Sequence, residues 1–453
     1  MNVLVLLLSG LGLGLGLDAP LQRVVDAVSE KDCPRLHAML TTTFQEKVPA
    51  AAMPGLCNPV GKITSTERMS DDKGLAVVRA TSASGAWKLE LALDGDRVSA
   101  LRVSPWPVQV RARTLAAALE EVATAGHIPG MAALAMKDGK VTAQATYGVR
   151  KLGDPTPIGA DDRWHLGSDT KAMTATLAAL VVQDGKLSWN STVGEVLSDW
   201  KDLDPAYAKV TLRQLLQHRA GLPTDMPFPI AIALHEATDP VVGRRNAVHA
   251  VLEQRPHKVG EYEYSNSGYM TAALMIERVT GGTWEALLRA RVFQPLGMAS
   301  CGYGPSASPG KVDAPWPHRT IDGTLTPVDP GSGHADNPAG LGPAGTVHCS
   351  LADWAKFVED HMHGERGAPT TLPLPVSAWH ELHTPNGIYA LGWGVNLRPW
   401  AHGPVLSHDG SNGMGYATVV ASPGDDRVFL VVANRGPDTA ATATRAIVDF
   451  LAR

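Results

Sequence analysis

The chain has 453 residues, of which 44% are hydrophobic and 19% are charged, and its formal net charge is −5. This hydrophobic content is too high for a disordered chain, and the slightly acidic balance argues against binding to nucleic acid. A chain of this length buries a sizeable core without a metal or a disulfide to hold it together. With 45 Gly and 33 Pro, the composition indicates a soluble, loop-rich globular protein, most often an enzyme.

An apolar run, VLVLLLSGLGLGLGL, covers residues 3–17. It is too short for a membrane span and has the length of the apolar core of a secretion signal. We therefore predict a signal segment over residues 1–18 and export to the periplasm or the extracellular space of a bacterium, with no integral membrane span. The alternative is a buried N-terminal segment, but the glycines between positions 10 and 16 suit neither helix nor strand.

The four cysteines are even in number, as expected for disulfides in an exported chain. The sequence permits the pairs Cys33–Cys57 and Cys301–Cys349, and the alternative is four buried free thiols. No C-x-x-C occurs, which argues against a zinc knuckle or a thioredoxin-type site.

Residues 19–107 are predicted to form a small α+β domain, with the stiff Pro105-Trp106-Pro107 segment as its boundary. Helical spacing covers residues 21–32 and 34–44, and strand alternation covers residues 73–82, 86–93 and 97–104. The domain resembles the cystatin-like α+β rolls that are appended to secreted enzymes.

Residues 108–453 begin with an amphipathic helix closed by Gly126 and a hairpin turned at Asp138-Gly139. They end with a second hairpin over 417–434 and a final helix over 442–453. Strands near both ends of a mainly helical segment predict one sheet assembled from the two ends. Between 301 and 344 the chain is rich in Gly and Pro, which is typical of an active-site wall, or alternatively of a mobile surface loop.

The strongest local motif is Ser168-x-x-Lys171 at the start of a helix that ends at Gly185. The spacing places both side chains on one helical face. A serine becomes a good nucleophile when a base takes its proton, and a lysine with a lowered pKa can act as that base. The alternative interpretation is a helix-capping serine beside an ordinary surface lysine.

Two further motifs follow in the chain: Tyr264-x-Asn266 before an apolar helix, and His408-x-Gly410 before a strand. With Ser168-x-x-Lys171 in front, this order resembles the penicillin-recognising serine hydrolases of the class C β-lactamase type. That group includes D,D-carboxypeptidases, D-aminopeptidases and β-lactamase-like esterases. Segments 212–223 (LRQLLQHRAGLP) and 342–357 (GPAGTVHCSLADWAKF) are also similar to family segments.

The resemblance implies an α/β (α+β) fold in which an antiparallel sheet flanked by helices adjoins an all-helical lobe. It further implies that Ser168 is the acylated nucleophile and Lys171 its base. Tyr264, with a pKa lowered by Lys171, would pass a proton to the leaving group, and Asn266 would bind Lys171 and the substrate amide.

By the same resemblance, the backbone N–H groups of Ser168 and Ser411 would form the oxyanion hole, and His408 and Gly410 would complete the substrate site. Taken singly, Tyr264 could instead be a packed aromatic, Asn266 a turn former and His408 a core histidine.

Asp409 departs from the family pattern, which usually has Thr at that position in members that bind a substrate carboxylate. An Asp that faced the cleft would repel a carboxylate, although strand alternation could point it away. The pair His361-x-His363 has metal-like spacing, but no further ligands follow, and we interpret both as solvated helix histidines. We therefore expect no metal and no cofactor.

The leading hypothesis is a serine hydrolase that acts through an acyl-enzyme on a D-amino peptide or an ester, with a β-lactamase proper as the alternative. A competing hypothesis of another class is a catalytically weak module that binds cell-wall peptides. A metal-dependent hydrolase is a third. The expected partner is a small-molecule or peptide substrate, and the oligomeric state stays open.

Overall fold

The structure is a computed structural model that describes residues 17–48, 50, 53, 60, 62–72, 75–82, 85–106, 109–321 and 324–453. The apolar run as far as residue 16 and Cys57 lie outside these residues, so the signal segment and the Cys33–Cys57 pair stay predictions. Among the described residues, no helix is both long enough and apolar enough to cross a membrane.

The chain divides into two compact units, residues 1–108 and residues 109–453. In its described residues, the first unit contains three helices and one antiparallel sheet with the strand order β1-β2-β3-β4. Its elements are α1 (Ala19–Ser29), α2 (Cys33–Ala38), α3 (Thr42–Lys47), β1 (Ile63–Asp72), β2 (Leu75–Ser82), β3 (Gly85–Asp94) and β4 (Arg97–Pro105).

Helix α1 shows why this unit folds. The Asp18 side chain caps it by accepting the Leu21 N–H at 3.1 Å, and the apolar spacing then puts Leu21, Val24 and Val28 on one buried face. That face joins the sheet residues in one core. Strand β1 was not among the predicted strands, and the helix predicted over 34–44 is divided into α2 and α3.

The second unit begins with α4 (Leu115–Ala125), β5 (Gly130–Lys137), β6 (Lys140–Gly148), β7 (Arg163–His165) and α5 (Thr170–Gln183). A run of helices follows: α6 (Val193–Val196), α7 (Leu212–Leu216), α8 (Phe228–Glu236), α9 (Pro240–Leu252), α10 (Asn266–Thr280) and α11 (Trp284–Leu288). The rest comprises β8 (Gly302–Tyr303), β9 (His318–Ile321), β10 (Thr324–Pro327), α12 (Gly342–Gly345), β11 (Val347–Ser350), α13 (Leu351–Glu365), α14 (Val376–His383), β12 (Gly394–Leu397), β13 (Pro404–Ser411), β14 (Tyr416–Ser422), β15 (Arg427–Ala433) and α15 (Pro437–Leu451).

The main sheet has the strand order β12-β13-β14-β15-β5-β6, and every neighbouring pair is antiparallel. Strands from both ends of the unit therefore share one sheet, because β15 pairs with β5 from Arg427–Lys137 to Ala433–Met131. Helices α13 and α15 both pack against β15, which is buried along almost its whole length. The predicted fold class, a helix-flanked antiparallel sheet with a helical lobe, is confirmed.

A smaller sheet has the strand order β7-β11-β8, and its strand β7 ends three residues before the predicted nucleophile, Ser168. The disulfide Cys301–Cys349 ties β11 to the start of the Gly- and Pro-rich segment, and this predicted pair is confirmed. Contrary to its irregular sequence, the 301–344 segment contains the short strands β8, β9 and β10.

The interpretation of His361 as a solvated histidine is wrong. Its side chain is completely buried, its Nε2 lies 2.9 Å from Thr176 Oγ1 on α5, and its Nδ1 lies 2.8 Å from His383 Nε2 on α14. His383 in turn contacts Glu365 at 2.7 Å. Helical spacing alone could not show this, because the partners come from distant parts of the chain.

One buried arginine and two glutamates connect the helices of the helical lobe. Arg244 on α9 is fully buried, and its guanidinium contacts Glu277 on α10 and lies 3.0 Å from Glu285 on α11. It also donates to the Gly340 carbonyl, so one side chain connects three helices to the 301–344 segment.

We expect Arg244→Met to lower the free energy of unfolding of the full chain by about 3–5 kcal/mol, because it leaves two carboxylates without their buried partner. The matched control is Arg291→Met, which removes a partly exposed pair with Asp184 and should cost less than about 1 kcal/mol. Urea unfolding measures both. Equal losses in the two variants would contradict this account of the lobe.

Candidate active site

Ser168 lies in a short 3-10 turn, Gly167–Asp169, between β7 and α5. Gly167 has a φ of +51°, and a Cβ atom there would collide with the backbone nitrogen of Ser411. A Cβ atom at Gly410 would collide with the Leu166 carbonyl oxygen. Both glycines are therefore required by the close approach of the Ser168 turn to β13.

Lys171 is fully buried on the first turn of α5, and its Nζ makes three polar contacts. It lies 2.9 Å from Ser168 Oγ, 2.8 Å from Asn266 Oδ1 and 2.7 Å from the Ala344 carbonyl oxygen. The side chain thus joins the Ser168 turn, α10 and α12 at one nitrogen atom.

Burial lowers the pKa of Lys171 to about 7, against the charge of Asp169, which raises it. The contacts fit the uncharged amine, which has two N–H donors and one lone pair. Asn266 Oδ1 and the Ala344 carbonyl are acceptors and take both N–H groups. The lone pair then faces the Ser168 hydroxyl, which can donate.

Tyr264 and Asn266 flank Ser265, the residue before α10. This turn is held by the 212–223 segment, because His218 Nδ1 accepts the Ser265 N–H at 3.0 Å and the Ser265 hydroxyl donates to the Pro223 carbonyl at 2.7 Å. The His218 ring also lies against Tyr264, with centroids 4.2 Å apart. The turn presents the phenol to Ser168 and the amide to Lys171.

The protonation of Tyr264 differs from the expectation. Burial raises its pKa above the ordinary value, and a hydrogen bond with Ser168 lowers it by less. The resemblance implied a pKa lowered by Lys171, whereas desolvation of the phenolate leaves the pKa raised. Tyr264 is therefore a proton donor near neutral pH.

His408 lies within β13, rather than before a strand as the sequence suggested. Its Nδ1 lies 2.9 Å from the Asp409 carbonyl oxygen, which only accepts, so Nδ1 carries the proton. Its Nε2 then accepts from the Tyr389 hydroxyl at 2.9 Å. Burial and the charge of Lys171 lower the pKa of His408 to about 4, so the ring is uncharged at neutral pH.

Asp409 follows His408 on a regular strand, and its side chain takes the opposite face. One carboxylate oxygen accepts from the Thr418 hydroxyl at 2.8 Å, and the other lies 3.3 Å from Arg445 Nη2. Asp409, Thr418 and Arg445 line a cavity of about 340 Å³ that His408 and Asn396 also line.

Ser411 ends β13 next to the Ser168 turn. Its hydroxyl donates to the Gly415 carbonyl at 2.7 Å and accepts the Gly413 N–H at 2.9 Å. The hydroxyl is thus used within its own turn, which leaves the backbone N–H as the group for the predicted oxyanion hole.

Sequence reasoning missed Tyr389 and His218 as members of this cluster. His218 stands in the 212–223 segment, which was matched to the family without a role for its histidine. Tyr389 lies between α14 and β12, and its ring packs near Tyr264, Tyr262 and His218. No motif in the sequence pointed to it.

Among the described residues, Asp202, His249 and Glu253 have the spacing of metal ligands. They include none of the predicted site residues, and the two ring nitrogens of His249 face different carboxylates, at 3.0 and 3.6 Å. Surface ion pairs account for this arrangement.

Comparison with known proteins identifies the family. Residues 115–452 match the beta-lactamase family. The chain belongs to that family, whose members are serine hydrolases.

Among curated relatives, Penicillin-binding protein 4 of Amycolatopsis lactamdurans is 26% identical over 326 residues, covering 70% of this chain and 83% of that protein. Protein flp of Staphylococcus aureus strain NCTC 8325 is 28% identical over 196 residues, which are 42% of this chain. The match spans only 38% of the length of flp. A class C beta lactamase from Rhodobacter sphaeroides has the same fold, with a TM-score of 0.60 at 21% identity over 75% of this chain and 99% of that chain.

We expect the rate of acylation to rise about tenfold per pH unit below pH 7 and to level off above it, because only the uncharged Lys171 can take a proton. His408 titrates near pH 4 and should not contribute above pH 5. The pH profile of kcat/KM for a neutral p-nitrophenyl ester measures this. A flat profile from pH 5.5 to 8.5 would show that Lys171 is not the base.

Proposed function

We propose that the protein is a serine hydrolase that forms an acyl-enzyme at Ser168 with an amide or ester substrate. The observation that carries this proposal is the buried Lys171 Nζ, which lies 2.9 Å from Ser168 Oγ and makes its other two contacts with the carbonyl oxygens of Asn266 and Ala344. A lysine that only supported the fold would not need a serine as its third partner.

In the first step the Ser168 proton moves to Lys171 Nζ while Oγ bonds to the substrate carbonyl carbon. The carbonyl oxygen becomes an oxyanion between the N–H groups of Ser168 and Ser411, two segments held together at Gly167 and Gly410. Lys171 then carries a positive charge close to the developing negative one. In a buried site this attraction is stronger than in water.

In the second step the bond to the leaving amine or alcohol breaks, and that group needs a proton. Tyr264 keeps its proton at neutral pH, and its ring centroid lies 4.9 Å from Lys171 Nζ. It gives its proton to the leaving group and recovers one from Lys171. Water then enters and its oxygen bonds to the acyl carbon while the uncharged Lys171 takes its proton. The bond between that carbon and Ser168 Oγ breaks, Oγ takes the proton back from Lys171, and the carboxylic acid leaves.

The charge around β13 favours substrates without a carboxylate near the reacting carbonyl. His408 is uncharged at neutral pH, so its ring offers no cation to a substrate carboxylate. The Asp409 carboxylate lies on the opposite face of β13, where Thr418 and Arg445 contact it. A carboxylate bound beside His408 would therefore meet no cation on β13. We therefore favour peptide-like amides and esters over β-lactams, with D-amino peptides and cell-wall peptides as substrates to test.

The binding-module alternative requires recognition without turnover. A binding site does not need a desolvated lysine aimed at a serine, since burying that amine opposes its charge. Export of the protein remains part of this proposal and follows only from the apolar run.

Labelling with a fluorescent fluorophosphonate, followed by peptide mapping, should place the adduct on Ser168, and Ser168→Ala should abolish it. Lys171→Ala should slow labelling at least ~100-fold, since it removes the base. The matched control Lys186→Ala, on a surface turn after α5, should label at the wild-type rate. An adduct on another residue, or equal labelling of Ser168→Ala, would overturn the assignment.

Asp409→Thr should change kcat/KM for a carboxylate-bearing β-lactam by less than about twofold, because the side chain at this position lies on the face of β13 opposite His408 and contacts Thr418 and Arg445. The same variant should leave kcat/KM for a neutral ester within about twofold. Parallel kinetics on the two substrates measure both values. A tenfold gain on the β-lactam alone would show that the charge of Asp409 reaches the substrate.

A further inference from the structure

The turn that carries Ser168 is held by a histidine that precedes it. His165 ends β7, and its Nδ1 accepts the Gly167 N–H at 3.1 Å. Since Nδ1 accepts, the ring proton of the neutral imidazole lies on Nε2. That nitrogen is 2.7 Å from Asp336 Oδ1, and both side chains are almost fully buried, with 9% and 6% of their surfaces exposed.

Asp336 comes from the 301–344 segment and meets the other half of the site as well. Its Oδ1 accepts from the Asn412 side-chain amide at 3.1 Å and from the Asn337 N–H at 2.7 Å. Asn412 directly follows Ser411, and its own Oδ1 accepts the N–H groups of Met414 and Gly415 at 3.1 and 3.0 Å. One carboxylate oxygen thus contacts His165 and Asn412, whose side chains neighbour the two backbone segments that provide the N–H groups of the proposed oxyanion hole.

The next residue extends this connection to the base. Asn337 donates to the Gly345 carbonyl at 2.9 Å, and the neighbouring Ala344 carbonyl accepts from Lys171. Asp336 and Asn337 therefore contact His165, which precedes the Ser168 turn, the turn after Ser411 and helix α12.

We propose that Asp336 is a positioning residue that fixes the two halves of the oxyanion hole through His165 and Asn412. It contacts none of the reacting atoms and acts through the backbone that it orients. The inference rests on the proposed acyl-enzyme function, because a fixed pair of N–H groups is useful where a negative oxygen develops.

The geometry explains why a carboxylate is needed. Asp336 Oδ1 accepts hydrogen bonds from the Asn412 amide and the Asn337 N–H, and it lies 2.7 Å from His165 Nε2. A carboxylate has only acceptors to offer, whereas the amide of Asn would turn an N–H toward His165 or Asn412 in one of its orientations. Its charge also strengthens each of these contacts in a buried site.

The test compares Asp336→Asn with Asp329→Asn. Asp329 lies in the same 301–344 segment and accepts only from backbone groups of that segment, Gly331 at 2.7 Å and Gly310 at 3.3 Å. On a neutral ester, Asp336→Asn should lower kcat about 10- to 100-fold with KM changed by less than about threefold, since the oxyanion exists only in the transition state. Asp329→Asn should behave as wild type.

A double-mutant cycle tests the route through the histidine. If Asp336 acts through His165, then His165→Ala in the Asp336→Asn background should cost less than about threefold further in kcat. Additive losses, or a higher KM with unchanged kcat, would overturn the inference. Fluorophosphonate labelling of Ser168 in the wild-type protein is measured in parallel. Absence of that label would show that the acyl-enzyme proposal itself fails, independently of the role of Asp336.

A spectroscopic measurement is independent of turnover. In the full-length wild-type protein, a nitrogen–proton correlation spectrum should show the His165 ring with its proton on Nε2, and Asp336→Asn should shift both that signal and the Gly167 amide. A His165 ring protonated on Nδ1 in the wild type would contradict the proposal even if the kinetics agreed.

Discussion

The site depends on the burial of one amine. Lys171 Nζ has no access to water, and its partners are two carbonyl oxygens and one hydroxyl. Because two carbonyls use both N–H groups of the uncharged form, the remaining lone pair has one direction left, toward Ser168. The three partners come from the nucleophile turn, α10 and α12, so the packing that buries the amine also sets the distance between base and nucleophile.

The close approach of Gly167 and Gly410 is the second constraint on the site, and the topology of the main sheet makes it possible. Ser168 precedes a helix near the start of the large unit, whereas β13 belongs to its C-terminal part. The two meet because β15 pairs with β5, which joins strands from both ends in one sheet. Helices α5 and α10 then bring Lys171 and Asn266 to that junction, and side chains larger than hydrogen at the two glycines would separate the halves.

Much of this arrangement was predictable from local patterns, and the remainder depends on distant partners. The terminal hairpins alternate clearly, so the shared sheet was predicted, whereas β1 (ITSTERMSDD) has few apolar residues and was missed. The motifs around Ser168, Tyr264 and His408 placed the site. Spacing could not show that His361 is buried, since Thr176 and His383 enclose it, nor that Tyr389 bonds to His408. The direction of the Tyr264 pKa needed its burial, which no motif encodes.

Above about pH 7 the resting site holds Lys171, His408 and Tyr264 uncharged, and this condition favours the chemistry we propose. Burial lowers the pKa values of Lys171 and His408 and raises those of Tyr264 and Asp169. New charges then appear at the reacting atoms during the reaction, as an ammonium on Lys171 and an oxyanion between two N–H groups. In a medium of low polarity these charges attract each other strongly, and the fixed N–H groups need no reorganisation to receive the oxyanion. A substrate that brought its own carboxylate would place a charge in the site before the reaction began, which is the physical reason to expect neutral acyl donors.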